Sequence, residues 1–311
     1  MVELEALTTT VIGSYPVQIS NEDFIKSFYT KEDSFLKSIE LSIKDQIEAG
    51  IEIISDGQTR NDMVKIFTDK IIGFKTDFGR VIAVEKLSYH DGGIILKDQM
   101  HALNFIKGKS TKLKSVLTGP STILSMINPG VYKTRSRELL FDIAEVLRKE
   151  AEELQKTDIA YLQIDEPIFS VKPENLEDSI IALDKITQKI KIPVAIHVDG
   201  PIKKIFPKLL NLKKFDIFHM ELKSTPENLE VVKEYKSDKS IGIGLVKVYD
   251  DRVETVEEIK QLVEKSLEFL DANKILLNPE CGMRHLPREI AFNKLRNIVK
   301  AKEQIKKEMN L

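Results

Sequence analysis

Eight short runs rich in β-branched residues recur along the chain with amphipathic stretches between them, and this alternation restricts the fold most. The runs are TTVIGSYP (9–16), IEIISDGQ (51–58), KSVLTGP (114–120), IAYLQIDEP (159–167), IPVAIHVDG (192–200), FDIFHMEL (215–222), SIGIGLV (240–246) and KILLNPECG (274–282). Between them lie helical patterns such as KEDSFLKSIELSIKDQIEAG, which closes on Gly50 as a helix C-terminus does, and TVEEIKQLVEKSLEFLDAN. Eight strands each followed by helix is the count of an α/β fold of the (β/α)8 TIM-barrel type. An open doubly wound sheet is the alternative, but no strand–GxGxxG–helix fingerprint supports it. One stretch breaks the rhythm: FKTDFGRVIAVEKLSYHDGGIIL reads as a hairpin inserted after the second strand, at about 74–96.

The length of 311 residues suits one such barrel spanning 1–311. Lys plus Arg number 47 against 49 Asp plus Glu, a net charge of −2, which gives nucleic acid no electrostatic footing. A single cysteine excludes an internal disulfide framework. The start of the chain has no basic segment leading into an apolar one, and no run is long enough to span a membrane. A cytoplasmic protein is expected. Charged residues at 31% and the absence of Trp lean towards a heat-adapted source.

Polar residues crowd the C-terminal ends of the strands: Gly13-Ser14, Asp56-Gly57-Gln58, Asp165-Glu166, His197-Val198-Asp199, Glu221 and Asn278 to Cys281. In a barrel those ends form the rim on which active sites are built. Residues two apart on a strand share a face. With Val194, Ile196 and Val198 turned towards the helices, His197 and Asp199 point inward. The same parity turns Tyr161, Gln163 and Asp165 inward, and Ile54, Asp56 and Gln58 on the second strand. Glu221 is inward with His219 beneath it. His197, Asp199, Glu221 and Cys281 then converge on one mouth, and imidazole, carboxylate and thiolate are zinc ligands. Singly, each has a plainer role: a hydrogen-bonded core histidine, a loop-capping aspartate, a glutamate paired with Lys223 or Lys247, a buried thiol acting as a small hydrophobe.

The segments TTTVIGSYP, DGQTRNDMV, LTGPST, QIDEP, IHVDG, MELKS, GIGLV and NPECGMR, in this order from about residue 8 to 284, resemble the catalytic barrel of cobalamin-independent methionine synthase. That resemblance implies a Zn2+-dependent methyltransferase that methylates the thiol of homocysteine. It implies metal ligands at His197, Glu221 and Cys281, carboxylate contacts at Ile12, Gly13 and Ser14, and amino-group contacts at Asp165 and Gln58. Three positions depart from the family pattern. Asp199 stands where the family has a second cysteine, and we expect it to be the fourth metal ligand. Gln58 replaces a glutamate. Tyr249, in VKVYDD, replaces a catalytic histidine after the seventh strand and is taken as its catalytic equivalent beside Asp165. With that histidine absent, the expected donor is methylcobalamin or a methylated corrinoid protein rather than methyltetrahydrofolate. A related barrel enzyme for another thiol or without metal, and a non-catalytic amino-acid-binding paralogue, are the alternatives.

Overall fold

The computed structural model describes residues 5–19, 25, 29–30, 33–172 and 176–311. Each of the eight runs forms a parallel strand. They are β1 (Thr8–Thr9), β2 (Ile53–Ile54), β5 (Lys112–Leu113) continued as β6 (Ser115–Thr118), β7 (Leu162–Asp165), β8 (Val194–Val198), β9 (Ile217–Glu221), β10 (Ser240–Gly244) and β11 (Ile275–Asn278). The order β1-β11-β10-β9-β8-β7-β6 forms one continuous sheet. The parallel bridge Thr10↔Ile53 joins β1 to β2, and β2 pairs with β5, which closes the ring. The chain therefore folds as a (β/α)8 barrel. β3 (Ile72–Asp77) and β4 (Arg80–Ser88) make the hairpin expected after the second strand. Its two-residue turn, Phe78-Gly79, has positive φ at both positions, matching the twist of the strands. The paired strands end at Ser88, and Leu96 begins a helix that runs to Phe105.

Amphipathic helices cover the outside. Helix Ser34–Glu48 is N-capped by the Asp33 carboxylate, and Gly50 follows its end with φ +91°. Helix Val256–Leu267 starts with a reciprocal Thr255–Glu258 capping box. Val194, Ile196 and Val198 pack into the core between sheet and helices, as their parity requires. Ile53, Tyr161, Ala195, Ile217 and Leu276 form a separate apolar floor inside the barrel. No helix among the described residues is long and apolar enough to cross a membrane.

One parity differs from expectation. Ile53, not Ile54, belongs to the inner floor, and Ile54 packs outward. Strand pairing on β2 ends there, and the chain turns through positive φ at Gly57 (81°) and Gln58 (46°), so simple alternation does not reach Gln58. Gln58 nonetheless arrives at the mouth, because the turn re-aims it.

Above the floor lies a polar layer. His219 Nδ1 is 3.0 Å from Asn278 Oδ1, and its Nε2 is 3.4 Å from the Tyr161 hydroxyl. Gly242 belongs to this layer by necessity: a Cβ there would sit 1.9 Å from His219 Nδ1 and 2.6 Å from Asn278 Oδ1. Neither neighbour can yield without losing its buried partner. Gly242→Ala should therefore cost on the order of 1–3 kcal/mol through overpacking. Denaturant unfolding measures this, and an unchanged midpoint would mean that the layer has slack the contacts do not reveal.

Candidate active site

β8 ends at Val198, and the next residues, Asp199 and Gly200, turn across the rim; Gly200 takes φ +67°. His197 is fully buried at the top of β8, paired in register with His219 on β9. Asn228 ties the two strand ends together, donating to the carbonyls of Gly200 (3.0 Å) and Glu221 (2.8 Å). After β11, Pro279 and Glu280 carry Cys281 over the same opening. Glu280 anchors that loop by accepting from the Ser224 amide and from Ser224 Oγ at 2.7 Å.

These loops bring one ligand atom from each of His197, Asp199 and Cys281 within 4.8 Å of the others. His197 Nε2 lies 2.9 Å from Asp199 Oδ1, and Cys281 Sγ lies 3.6 Å from Asp199 Oδ2. The first approach is ionic proximity rather than a hydrogen bond, since both atoms are buried without an aligned partner, as is His197 Nδ1. Buried polar atoms are nearly always paired, so orphans at one point indicate a missing partner. Burial opposes charge on His197, but Asp199 and Cys281 outweigh it and hold its pKa well above the usual value. Burial pushes the Cys281 thiol up to about 11, with the Asp199 charge adding to it.

Glu221 does not close with the other three. Thr225 Oγ1 donates to its Oε2 at 3.2 Å, and burial together with the Asp199 charge raises its pKa. The cluster of ligand atoms is therefore formed by His197, Asp199 and Cys281, with Glu221 beside it. Tyr249 is 79% exposed, yet its hydroxyl faces the cluster, and the Cys281 charge, then burial, raises its pKa.

The other half of the mouth is built by the loops after β1, β2 and β7. Ser55 Oγ donates to the Gly13 carbonyl at 2.5 Å, and the Met283 amide donates to the Ser14 carbonyl at 2.8 Å, fixing Ile12 to Ser14 between their neighbours. Gln58 Oε1 lies 2.7 Å from where a side chain on Gly13 would begin, and Gln58 Nε2 is buried without a partner. Arg284 Nη1 donates to the Gln58 carbonyl at 2.9 Å. Asp165, buried, accepts from Gln163 Nε2 at 2.7 Å. Burial raises the Asp165 pKa, and the neighbouring His197 pulls it back.

The family model described as "Cobalamin-independent synthase, Catalytic domain" matches residues 7–304. The chain belongs to the cobalamin-independent methionine synthase family. It is 38% identical to a methionine synthase of Methanocaldococcus jannaschii, over 96% of this chain and all of that one. A methionine synthase of Methanothermobacter thermautotrophicus is 36% identical, over 95% and 99%. A solved B12-independent methionine synthase from Shewanella sp. W3-18-1, in complex with selenomethionine, superposes with a TM-score of 0.85 at 25% identity, covering 98% and 99%. A methyltransferase from Methanosarcina mazei shares the fold, with a TM-score of 0.69 at 13% identity. Within the family this chain is a methyltransferase of the methionine synthase class.

Lys114 was not singled out in the sequence. It heads the KSVLTGP run as an ordinary polar boundary residue would, but its side chain is fully buried inside the barrel. The available signal was its inward parity with Val116 and Thr118. Arg284 closes the NPECGMR segment, but the sequence assigns it no role.

Proposed function

We propose that the chain methylates the thiol of homocysteine to give methionine, and that it holds a zinc ion with His197, Asp199 and Cys281, Glu221 being the fourth ligand. The observation that carries this reading is the partly buried N, O and S set, with orphaned atoms on His197 and Asp199, in a chain of this family. The set fits zinc: bonds of about 2.0–2.3 Å put tetrahedral ligand atoms roughly 3.3–3.8 Å apart. The 3.6 Å sulfur–oxygen separation lies in that range, and the 2.9 Å nitrogen–oxygen one needs to open by about half an ångström. Zinc there would supply the Lewis acidity that turns a thiol into a thiolate near neutral pH.

The protein's own groups do the positioning. The Ile12–Ser14 segment offers Ser14 and backbone amides to the amino acid's carboxylate. Asp165 accepts from its ammonium, and the Gln58 amide oxygen assists without adding charge. Held at both ends, the substrate presents its sulfur to the opposite side of the mouth, where the methyl carbon is attacked in line and the donor leaves with the bond pair. Tyr249 lies beside Cys281 with most of its side chain exposed. It stands where folate-using members carry a catalytic histidine, and on that replacement alone we take a methylated corrinoid, free or protein-borne, as the donor ahead of methyltetrahydrofolate.

Elemental analysis and calorimetric titration with homocysteine test this together. About one zinc per chain and a saturable heat are expected. A purified protein that takes up no zinc and gives no heat would overturn the proposal, and faster turnover with methyltetrahydrofolate would reverse the donor.

A further inference from the structure

Lys114 lies between β5 and β6, with its backbone amide donating to the Ile54 carbonyl at 2.9 Å and its side chain inside the barrel. A buried ammonium is costly unless its three N–H groups are satisfied. Here one donates to the Val11 carbonyl and one to Gln163 Oε1 at 2.5 Å, and the nitrogen lies 5.3 Å from the centre of the Tyr161 ring. Both oxygens are neutral acceptors, and a ring face favours a cation. Gln163 carries the contact onward: its Nε2 donates to the Ile12 carbonyl at 2.8 Å and to Asp165 Oδ1 at 2.7 Å. One ammonium and one carboxamide thus tie the segment at Val11 and Ile12 to the carboxylate of Asp165.

We propose that Lys114 is a positioning residue for substrate recognition, acting through Gln163 to lock the carboxylate-binding segment and Asp165 into one unit that reads an α-amino acid. This rests on the homocysteine reading above and deepens it. Apolar residues such as Ile53 and Leu276 fill the floor beneath, and a residue serving only to fill space at Lys114 would be apolar too. A cation there instead favours an ionised Asp165 across the Gln163 bridge. Burial lowers the Lys114 pKa and the Asp165 charge raises it, the reciprocal of the same interaction.

The test compares homocysteine with its desamino analogue 4-mercaptobutyrate, which keeps the thiol and carboxylate, by calorimetry on the zinc-loaded enzyme. Wild type should prefer homocysteine. Lys114→Met should lower that preference by roughly tenfold or more, the range of a charge-assisted bond, while zinc stoichiometry holds. General loosening of the barrel would weaken both ligands alike and leave the ratio intact. If Lys114→Met fails to fold, Gln163→Leu keeps the cation and cuts the link, and must lower the ratio itself. A preference that survives in the folded variants overturns the inference and leaves the homocysteine reading standing. A wild type indifferent to the amine overturns the assignment of Asp165, and this inference with it.

Discussion

Asp199→Ala should leave a folded barrel that no longer retains zinc, and Asp199→Cys should retain it at least as well as wild type. Asp199 is the central member of the cluster: one carboxylate oxygen approaches His197 and the other approaches Cys281. Removing it leaves His197 and Cys281 without the group that bridges them. Even an outer partner of a metal ligand is worth roughly 10–100-fold in metal affinity, which sets a floor for a direct ligand. Cysteine at this position restores a thiolate, a softer ligand that zinc accepts readily, and keeps the same formal charge. Carboxylate oxygen instead widens the choice towards manganese, iron or cobalt, so Asp199→Cys should also narrow metal selectivity towards zinc. Methyl transfer should fall with the metal in the alanine variant and return with the cysteine variant. Equal zinc content in wild type and Asp199→Ala would show that Asp199 only closes the loop after β8.

The barrel was legible because its strands are short, bounded by Gly and Pro, and separated by helices of clear period. His197 and Asp199 were legible for a simpler reason: β8 runs undistorted through Val198, so alternation places His197, and one further step places Asp199. On β2 the same rule failed at Ile54, because pairing stops and two left-handed residues follow. Register arguments hold only as far as the ladder does. Glu221 shows a second limit. It is the last residue of β9, as parity needs, but its carboxylate accepts from Thr225 Oγ1 and stays beside the cluster, which strand parity does not determine. Lys114 shows a third. A lysine at the head of a strand run reads as solvated surface, and only the closed ring, with Val11 just past β1 and Gln163 on the adjacent β7, reveals that it is enclosed.

Asp165→Asn should weaken homocysteine binding by about 2–3 kcal/mol, roughly 30- to 150-fold, with little change in zinc content. The substitution nearly preserves shape, and the asparagine Oδ1 can still accept from Gln163 Nε2, so the link to Ile12 survives. What disappears is the negative charge facing the substrate's ammonium. Gln58 cannot replace it, since its amide oxygen is neutral, and in this chain Asp165 bears that charge alone among the proposed amine contacts. The loss should therefore be larger than where a second carboxylate shares the work. It should also fall on KM rather than kcat, because the ammonium is equally bound before and during methyl transfer, and uniform binding leaves the chemical step unchanged. The desamino analogue, having no ammonium, should bind wild type and Asp165→Asn alike. An unchanged dissociation constant for homocysteine, or an equal loss for the analogue, would mean that Asp165 supports the mouth without touching the amine.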